Sequence, residues 1–215
     1  MHSWMKEIKL ITWDLDGTLY PNSTDFSDEI NRRKIEKVAK HLNISVQDAE
    51  VKFEQIRSKL LSHTKTLDYL GLDGSQFFLK LWEEMPLELF IKKNNRLVQL
   101  FDKIEFPHQA LLTNSNSIEN IKRKLKLIGL NTKYFKYIIT SVEVGFNKPN
   151  LKIFEELINQ SKLRPSEIMY VGDREKVDII PAKKIGMKTC MVGSKSVDAD
   201  MSVRSPVELL EMFNR

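Results

Sequence analysis

Apolar and polar positions follow two different rhythms along the chain, and the change falls near residue 91. A short apolar run begins at Ile8 and reads as a strand; it stops abruptly at Asp14 and Asp16, followed by Gly17 and Thr18, residues that favour turns. From Phe26 to Leu61 the apolar residues Ile30, Ile35, Val38, Leu42, Val46, Ala49, Phe53, Ile56 and Leu60 recur mostly at helical spacings, with a break near Asn43. This predicts two antiparallel helices. Ser45 is placed to cap the second, with Asp48 three residues on as an acidic variant of a capping box. Shorter helical pieces follow at Leu67–Leu70 and Gln76–Glu84, Pro86 breaks the pattern, and no strand is expected from about residue 21 to 90.

Beyond that point short apolar runs alternate with amphipathic ones. Strands are predicted at Ala110–Leu112, Tyr137–Thr140, Ile168–Val171 and Thr189–Val192. Helices are predicted at Arg96–Ile104, Ile118–Ile128, Leu151–Ser161, Val177–Ile185 and Pro206–Phe213, with Gly129 and Gly186 closing two of them. Strands separated by helices of about ten residues argue for an α/β fold with a doubly wound parallel sheet, Rossmann-like, with helices on both faces. The expected domains are a core of residues 1–20 and 91–215 and an inserted all-helical domain of residues 21–90.

Composition narrows the class. With 215 residues, 41% apolar and 29% charged, the chain is suited to a globular fold rather than to disorder. No apolar run reaches the length of a bilayer, and the first residues lack the apolar stretch of a secretory signal. The single cysteine, Cys190, lies in an apolar run and is expected to face a core, so a reducing cytoplasm is the expected location. A formal charge of +5 is modest. The densest basic cluster, Lys122-Arg123-Lys124 with Lys126, falls on an amphipathic helix whose apolar positions are Ile121, Leu125 and Ile128, and it reads as a solvated face. Neither nucleic acid nor a membrane is expected as a partner.

In a parallel sheet, ligands bind beyond the carboxyl ends of the strands. Asp14 and Asp16 follow the first strand, Thr113 and Asn114 the second, and Asp173 follows Ile168–Val171, with Gly172 easing the turn. Carboxylates two residues apart on extended chain point the same way, about 6–7 Å apart, and repel unless a cation screens them or one keeps its proton. Both conditions suit phosphate chemistry. Each residue also has a plainer reading: an Asp-Gly turn, a helix N-terminus at Thr113 and Asn114 with Asn116 and Glu119 as a capping pair, a loop aspartate at Asp173, a first-turn contact for Asp178, and an exposed lysine at Lys148. Their arrival together, in this order and at the ends of three separate strands, favours a site.

With these residues in place the sequence resembles the haloacid dehalogenase-like superfamily. Its first motif, D-x-D-G-T, matches Asp14-Leu15-Asp16-Gly17-Thr18; its second resembles Leu111-Leu112-Thr113-Asn114-Ser115. The third is similar to Asn147-Lys148-Pro149 and the fourth to Gly172-Asp173 with Asp178; Ala182 to Thr189 also matches the family's helix and following strand. The resemblance implies that Asp14 is the nucleophile, forming an aspartyl-phosphate, and that Asp16 is the acid and base. It implies Mg²⁺ held by Asp14, the backbone carbonyl of Asp16, and Asp173, with Asp178 supporting the ion through water or from behind. Thr113 and the backbone of Asn114 would hold phosphoryl oxygens, and Lys148 would balance charge. Oxygen donors, with histidines scattered at 2, 41, 63 and 108, disfavour zinc.

An initial proton on Asp16 is expected, with its pKa raised by the neighbouring carboxylate and by burial. The implied activity is hydrolysis of phosphomonoesters of small phosphorylated metabolites. The alternatives are a phosphosugar mutase, a 2-haloacid dehalogenase, which would not need Asp16, and a non-catalytic binding protein. A phosphonate hydrolase would need a lysine on the insertion; Lys34, Lys37, Lys52 and Lys59 are expected on solvated helix faces. The insertion matches the family's helical cap in position, and its aromatics Phe53, Tyr69, Phe77, Phe78 and Trp82 read either as packing or as substrate contacts. Arg174 departs from the small residue usual in the family and would alter the cleft entrance.

Overall fold

The computed structural model describes residues 3–60, 62–114 and 117–214, so the readings placed on Ser115 and Asn116 lie outside the described residues. By its internal contacts the chain divides into two compact units, Met1–Pro21 with Ile91–Arg215, and Asn22–Phe90. Among the described residues no helix is long and apolar enough to cross a membrane.

The discontinuous unit is built on a six-stranded sheet of β1 (Leu10–Trp13), β2 (His108–Thr113), β3 (Tyr137–Thr140), β4 (Ile168–Gly172), β5 (Lys188–Val192) and β6 (Met201–Val203). The order is β3-β2-β1-β4-β5-β6 and every pairing is parallel. All four residues of β1 are buried, as a central parallel strand covered on both faces requires. The last strand has no counterpart in the sequence pattern. Met201-Ser202-Val203 is too short and too polar to show one, and pairing with Cys190–Val192 creates it.

The continuous unit, Asn22–Phe90, holds α1 (Thr24–Leu42), α2 (Val46–Leu60), α3 (His63–Tyr69), α4 (Gly74–Glu84) and α5 (Leu87–Phe90), with no strand among its described residues. Asn43 ends α1 in the left-handed region at φ 53°, a conformation asparagine tolerates better than most residues. At the start of α2 the Ser45 hydroxyl accepts from the Asp48 amide at 3.1 Å and donates to the Asp48 carboxylate at 2.6 Å. The predicted capping pair thus closes on the hydroxyl. Val38, Ala49, Phe53, Leu67 and Leu81 form the centre of this unit, joined by Phe77. Trp82 stands edge-on to Phe26, whereas Tyr69 is 72% exposed.

Lys34 corrects the expectation of a solvated lysine. It lies on the apolar side of α1, only 3% exposed, with Nζ 4.5 Å from the centre of the Phe53 ring and 3.4 Å from His63 Nδ1. Burial pulls its pKa down to about 8, partly offset by Glu54. Burial and the charge of Lys34 hold His63 down to about 4, leaving a neutral ring to accept from the ammonium.

In the sheet-bearing unit α6 (Asn95–Lys103) brings Phe101 to 6.0 Å from Trp13 of β1, and the indole N–H donates to Gln109 Oε1 at 2.7 Å. α7 (Ile118–Ile128) and α8 (Ser141–Val144) follow β2 and β3. α9 (Leu151–Ser161) packs Ile153, Phe154 and Leu157 against Leu10, Leu112, Ile139, Ile168 and Tyr170, with Ala182 of α10 (Ile180–Lys184) on the same cluster. α11 (Pro206–Phe213) closes the chain against α6. The predicted helix over Val177–Ile185 is instead a π-helical turn, Glu175–Ile179, leading into α10. Pro181 lacks the N–H that would continue the earlier turn, and the Arg174 amide bonds the side chain of Asp178 at 3.1 Å.

Lys34→Met is expected to stabilise the chain by about 1–3 kcal/mol at pH 7, since each tenfold weakening of a buried amine's hold on its proton costs about 1.4 kcal/mol. The folded chain binds this proton less tightly than the unfolded one, so wild-type stability should rise from about pH 8 towards pH 10.5. Denaturant titrations at pH 7 and pH 10 should show that increment in the wild type and not in the variant.

Candidate active site

The first carboxylate is set by the sheet. The Asp14 amide donates to the Val171 carbonyl at 2.8 Å, extending the β1–β4 ladder by one residue. This is the place where the strand order turns back on itself, with β2 and β3 on one side and β4 to β6 on the other, the usual crevice of a doubly wound sheet. Two glycines let the neighbouring carboxylates close in. A Cβ on Gly17, whose φ is +91°, would stand 2.2 Å from Asp173 Oδ2, and one on Gly172 would stand 2.4 Å from the Asp178 Cβ. The result is a cluster of Asp14, Asp173 and Asp178 with ligand atoms within 4.8 Å of one another.

Lys148 holds this cluster together. Its buried Nζ donates to Asp14 Oδ1 at 2.7 Å, to Asp178 Oδ1 at 2.7 Å and to the Tyr170 hydroxyl at 2.8 Å, which uses all three ammonium protons. Asn114 fixes the backbone that carries this lysine: its Oδ1 accepts from the Lys148 amide at 2.7 Å and its Nδ2 donates to the Lys148 carbonyl at 3.1 Å. The motif alone assigns only the backbone of Asn114; the side chain ties β2 to the lysine segment. Thr113 ends β2, buried and in register with Thr140.

The oxygens of the cluster are not equivalent. Asp178 accepts from Lys148 and Tyr170 on Oδ1 and from the Arg174 amide on Oδ2. Asp14 Oδ2 and Asp173 Oδ1 are buried and have no hydrogen-bond partner. A buried acceptor left unmade is costly, and two such carboxylate oxygens on residues of one cluster are suited to a hard divalent cation. Asp14 and Asp173 therefore offer direct ligand atoms and Asp178 stands behind them. Electrostatics agrees. Burial lifts Asp14 to about 7, against the pull of Lys148 and with a further push from Asp178. Burial and Asp178 likewise raise Asp173.

Asp16 overturns an expectation. Its carboxyl lies below the usual carboxylate value rather than above it: burial pushes it up, but the Lys124 charge and hydrogen bond, together with the Tyr20 hydroxyl, outweigh that. Lys124 Nζ donates to Asp16 Oδ1 at 2.7 Å, and the Tyr20 hydroxyl donates to the same oxygen. The basic cluster around Lys124 reads as exposed in sequence, yet the Lys124 side chain is 1% exposed. One signal is present in the chain: Ile121, Lys124, Leu125 and Ile128 share one helical stripe, and a charge within an apolar stripe needs a buried partner. Tyr20 and Tyr170 carry no such signal, the second because it sits inside an apolar strand.

Without metal, Asp14 binds its proton more tightly folded than unfolded, so its contribution is complete below about pH 3.8 and is lost as pH rises through about 7. Asp14→Asn should flatten the fall in metal-free stability over that window, as measured by thermal unfolding at successive pH values in chelator. Lys124→Met should remove the largest opposition to burial at Asp16, leaving the Tyr20 hydrogen bond and the Lys148 charge, and so raise its titration, read by carboxyl ¹³C NMR.

Comparison with known proteins accords with the geometry. The family model for haloacid dehalogenase-like hydrolase matches residues 8–186. A protein of Methanopyrus kandleri named glyceraldehyde 3-phosphate phosphatase is 40% identical over 203 residues, covering 86% of this chain and 84% of its own. Its namesake in Methanocaldococcus jannaschii is 30% identical, covering 86% and 85%. The crystal structure of a phosphatase from Thermococcus onnurineus superposes with a TM-score of 0.67 at 24% identity, covering 96% of this chain and 98% of that one. The chain belongs to the haloacid dehalogenase-like hydrolases.

Proposed function

We propose that this hydrolase is a Mg²⁺-dependent phosphatase that cleaves small phosphorylated metabolites through an aspartyl-phosphate on Asp14. The observation that carries the reading is the state of Asp14: a buried carboxylate with one oxygen fixed by Lys148 and the other uncommitted, beside a second uncommitted oxygen on Asp173. The relatives named as phosphatases of glyceraldehyde 3-phosphate support a small phosphomonoester as substrate. The helical unit Asn22–Phe90 then serves as the cap that excludes water during the reaction.

Asp14 and Asp173, with the backbone carbonyl of Asp16, would hold Mg²⁺, and Asp178 would support it from behind. When bound, the ion supplies positive charge to the phosphoryl oxygens and to the charge that develops during transfer. Lys148 aligns the Asp14 carboxylate for attack on phosphorus and balances the added negative charge. Thr113 and the Asn114 backbone hold phosphoryl oxygens at the end of β2. Attack forms the Asp14 Oδ–P bond and breaks the bond to the leaving oxygen. Asp16 relays one proton to that oxygen, drawn from the Lys124 ammonium through the hydrogen bond on Asp16 Oδ1, so that Lys124 is left as the neutral amine. In the second step Asp16 takes a proton from the water that attacks the aspartyl-phosphate and returns it to Lys124, which restores the ammonium. Water cleaves the Asp14–phosphate bond, inorganic phosphate leaves, and Asp14 is restored. Acid–base help of this kind is worth about 10²–10⁴-fold.

A panel of phosphomonoesters that includes glyceraldehyde 3-phosphate should release inorganic phosphate with Mg²⁺ and not with EDTA. Asp14→Asn should abolish turnover, and Asp16→Asn should reduce it by about 10²-fold or more. Phosphate release that persists in Asp14→Asn would refute the covalent route.

A further inference from the structure

Arg174 stands at the mouth of the carboxylate cluster and has no part in the steps above. Its amide is anchored on Asp178 Oδ2 at 3.1 Å, while its side chain is 47% exposed. The guanidinium faces three carboxylates: Nη2 is 3.9 Å from Asp14 Oδ2, and Nε is 3.9 Å from Asp173 Oδ1 and 3.7 Å from Asp178 Oδ2. None of these distances is a hydrogen bond. The first two oxygens are the pair left without a hydrogen-bond partner. A planar fork chemically matched to carboxylates thus faces the two free oxygens without closing on them.

The charges explain the stand-off position. Asp14, Asp16, Asp173 and Asp178 are met by Lys148, Lys124 and Arg174. Lys148 is committed to Asp14 and Asp178, and Lys124 to Asp16, so Arg174, nearest to Asp178 Oδ2 at 3.7 Å, is the cation of these three that also faces Asp173 and the outer oxygen of Asp14. A divalent ion on those two oxygens would take over that compensation and would repel the guanidinium. The half-exposed side chain has solvent to move into.

We propose that Arg174 is a tethered counter-cation of the metal site: it compensates Asp14 and Asp173 before the divalent ion binds and is displaced when the ion arrives. The proposal rests on the metal-dependent reading of the site but not on phosphatase activity. Metal affinity in this chain is then set partly by a competitor built into the polypeptide.

The test is direct titration of Mg²⁺ and Mn²⁺ by calorimetry, without substrate. Arg174→Gln should bind the ion about tenfold more tightly, the scale of one close charge pair lost. Its metal-free form should melt below wild type, whereas the metal-saturated forms should melt together. Arg174→Lys, which keeps the charge, should return towards wild-type affinity, and Asp173→Asn should remove binding in either background. Affinity that is unchanged or weakened in Arg174→Gln, or a wild type that binds no divalent ion, overturns the proposal. If Arg174→Gln does not fold, phenylglyoxal labelling of wild type mapped by peptide mass spectrometry replaces it. Labelling at Arg174 should speed up severalfold with Mg²⁺, and equal rates with and without the ion overturn the proposal. Tight metal binding that responds to Arg174 as expected, but without phosphate release, would sink the phosphatase reading alone.

Discussion

One ammonium group organises this site. Lys148 reaches Asp14 at the end of β1, Asp178 in the π-helical turn and Tyr170 on β4, so three separately placed segments are tied to a single buried charge. Removing it would strand two buried carboxylates against each other, a loss of about 3–5 kcal/mol for a broken buried pair. The glycines follow from the same constraint: Asp173 and Asp178 approach so closely that Gly17 and Gly172 have no room for a Cβ. The Asn114 clamp follows too, since a lysine that bridges three partners needs a fixed backbone.

Charge balance then sets how the carboxylates differ. Asp178 is fully hydrogen-bonded, Asp16 is held by Lys124 and Tyr20, and Asp14 and Asp173 each keep one oxygen uncommitted. Burial alone does not separate them: Asp14 and Asp178 are both fully buried, Asp16 and Asp173 both partly so. Four acidic groups in one crevice acquire distinct characters through their partners, which residue identity cannot supply.

Much of this is legible in the chain. The alternation of apolar runs locates five of the six strands, and polar residues just beyond three of them mark the crevice edge, because strand direction is shared in a parallel sheet. The motif spacing singles out Asp14, Lys148, Asp173 and Asp178, which the fold brings together. What is illegible depends on pairing across long separations. β6 exists only beside β5, Lys124 is explained only by Asp16, and Lys34 only by the ring of Phe53 and the imidazole of His63. Asp16 misleads for the same reason: its neighbour in sequence is a carboxylate, but its neighbour in space is an amine.

The discontinuity of the sheet-bearing unit has a consequence for how the chain comes off the ribosome. Of the six strands of this sheet β1 is synthesised first, yet its two partners begin only at His108 and Ile168. An apolar segment must therefore wait, unpaired, while the whole of Asn22–Phe90 is made. That helical stretch is contiguous and rich in local contacts, so it condenses early and quickly. The nascent chain thus carries a finished helical domain behind an orphaned central strand, and an unpaired apolar strand of this kind is exposed to aggregation during that interval.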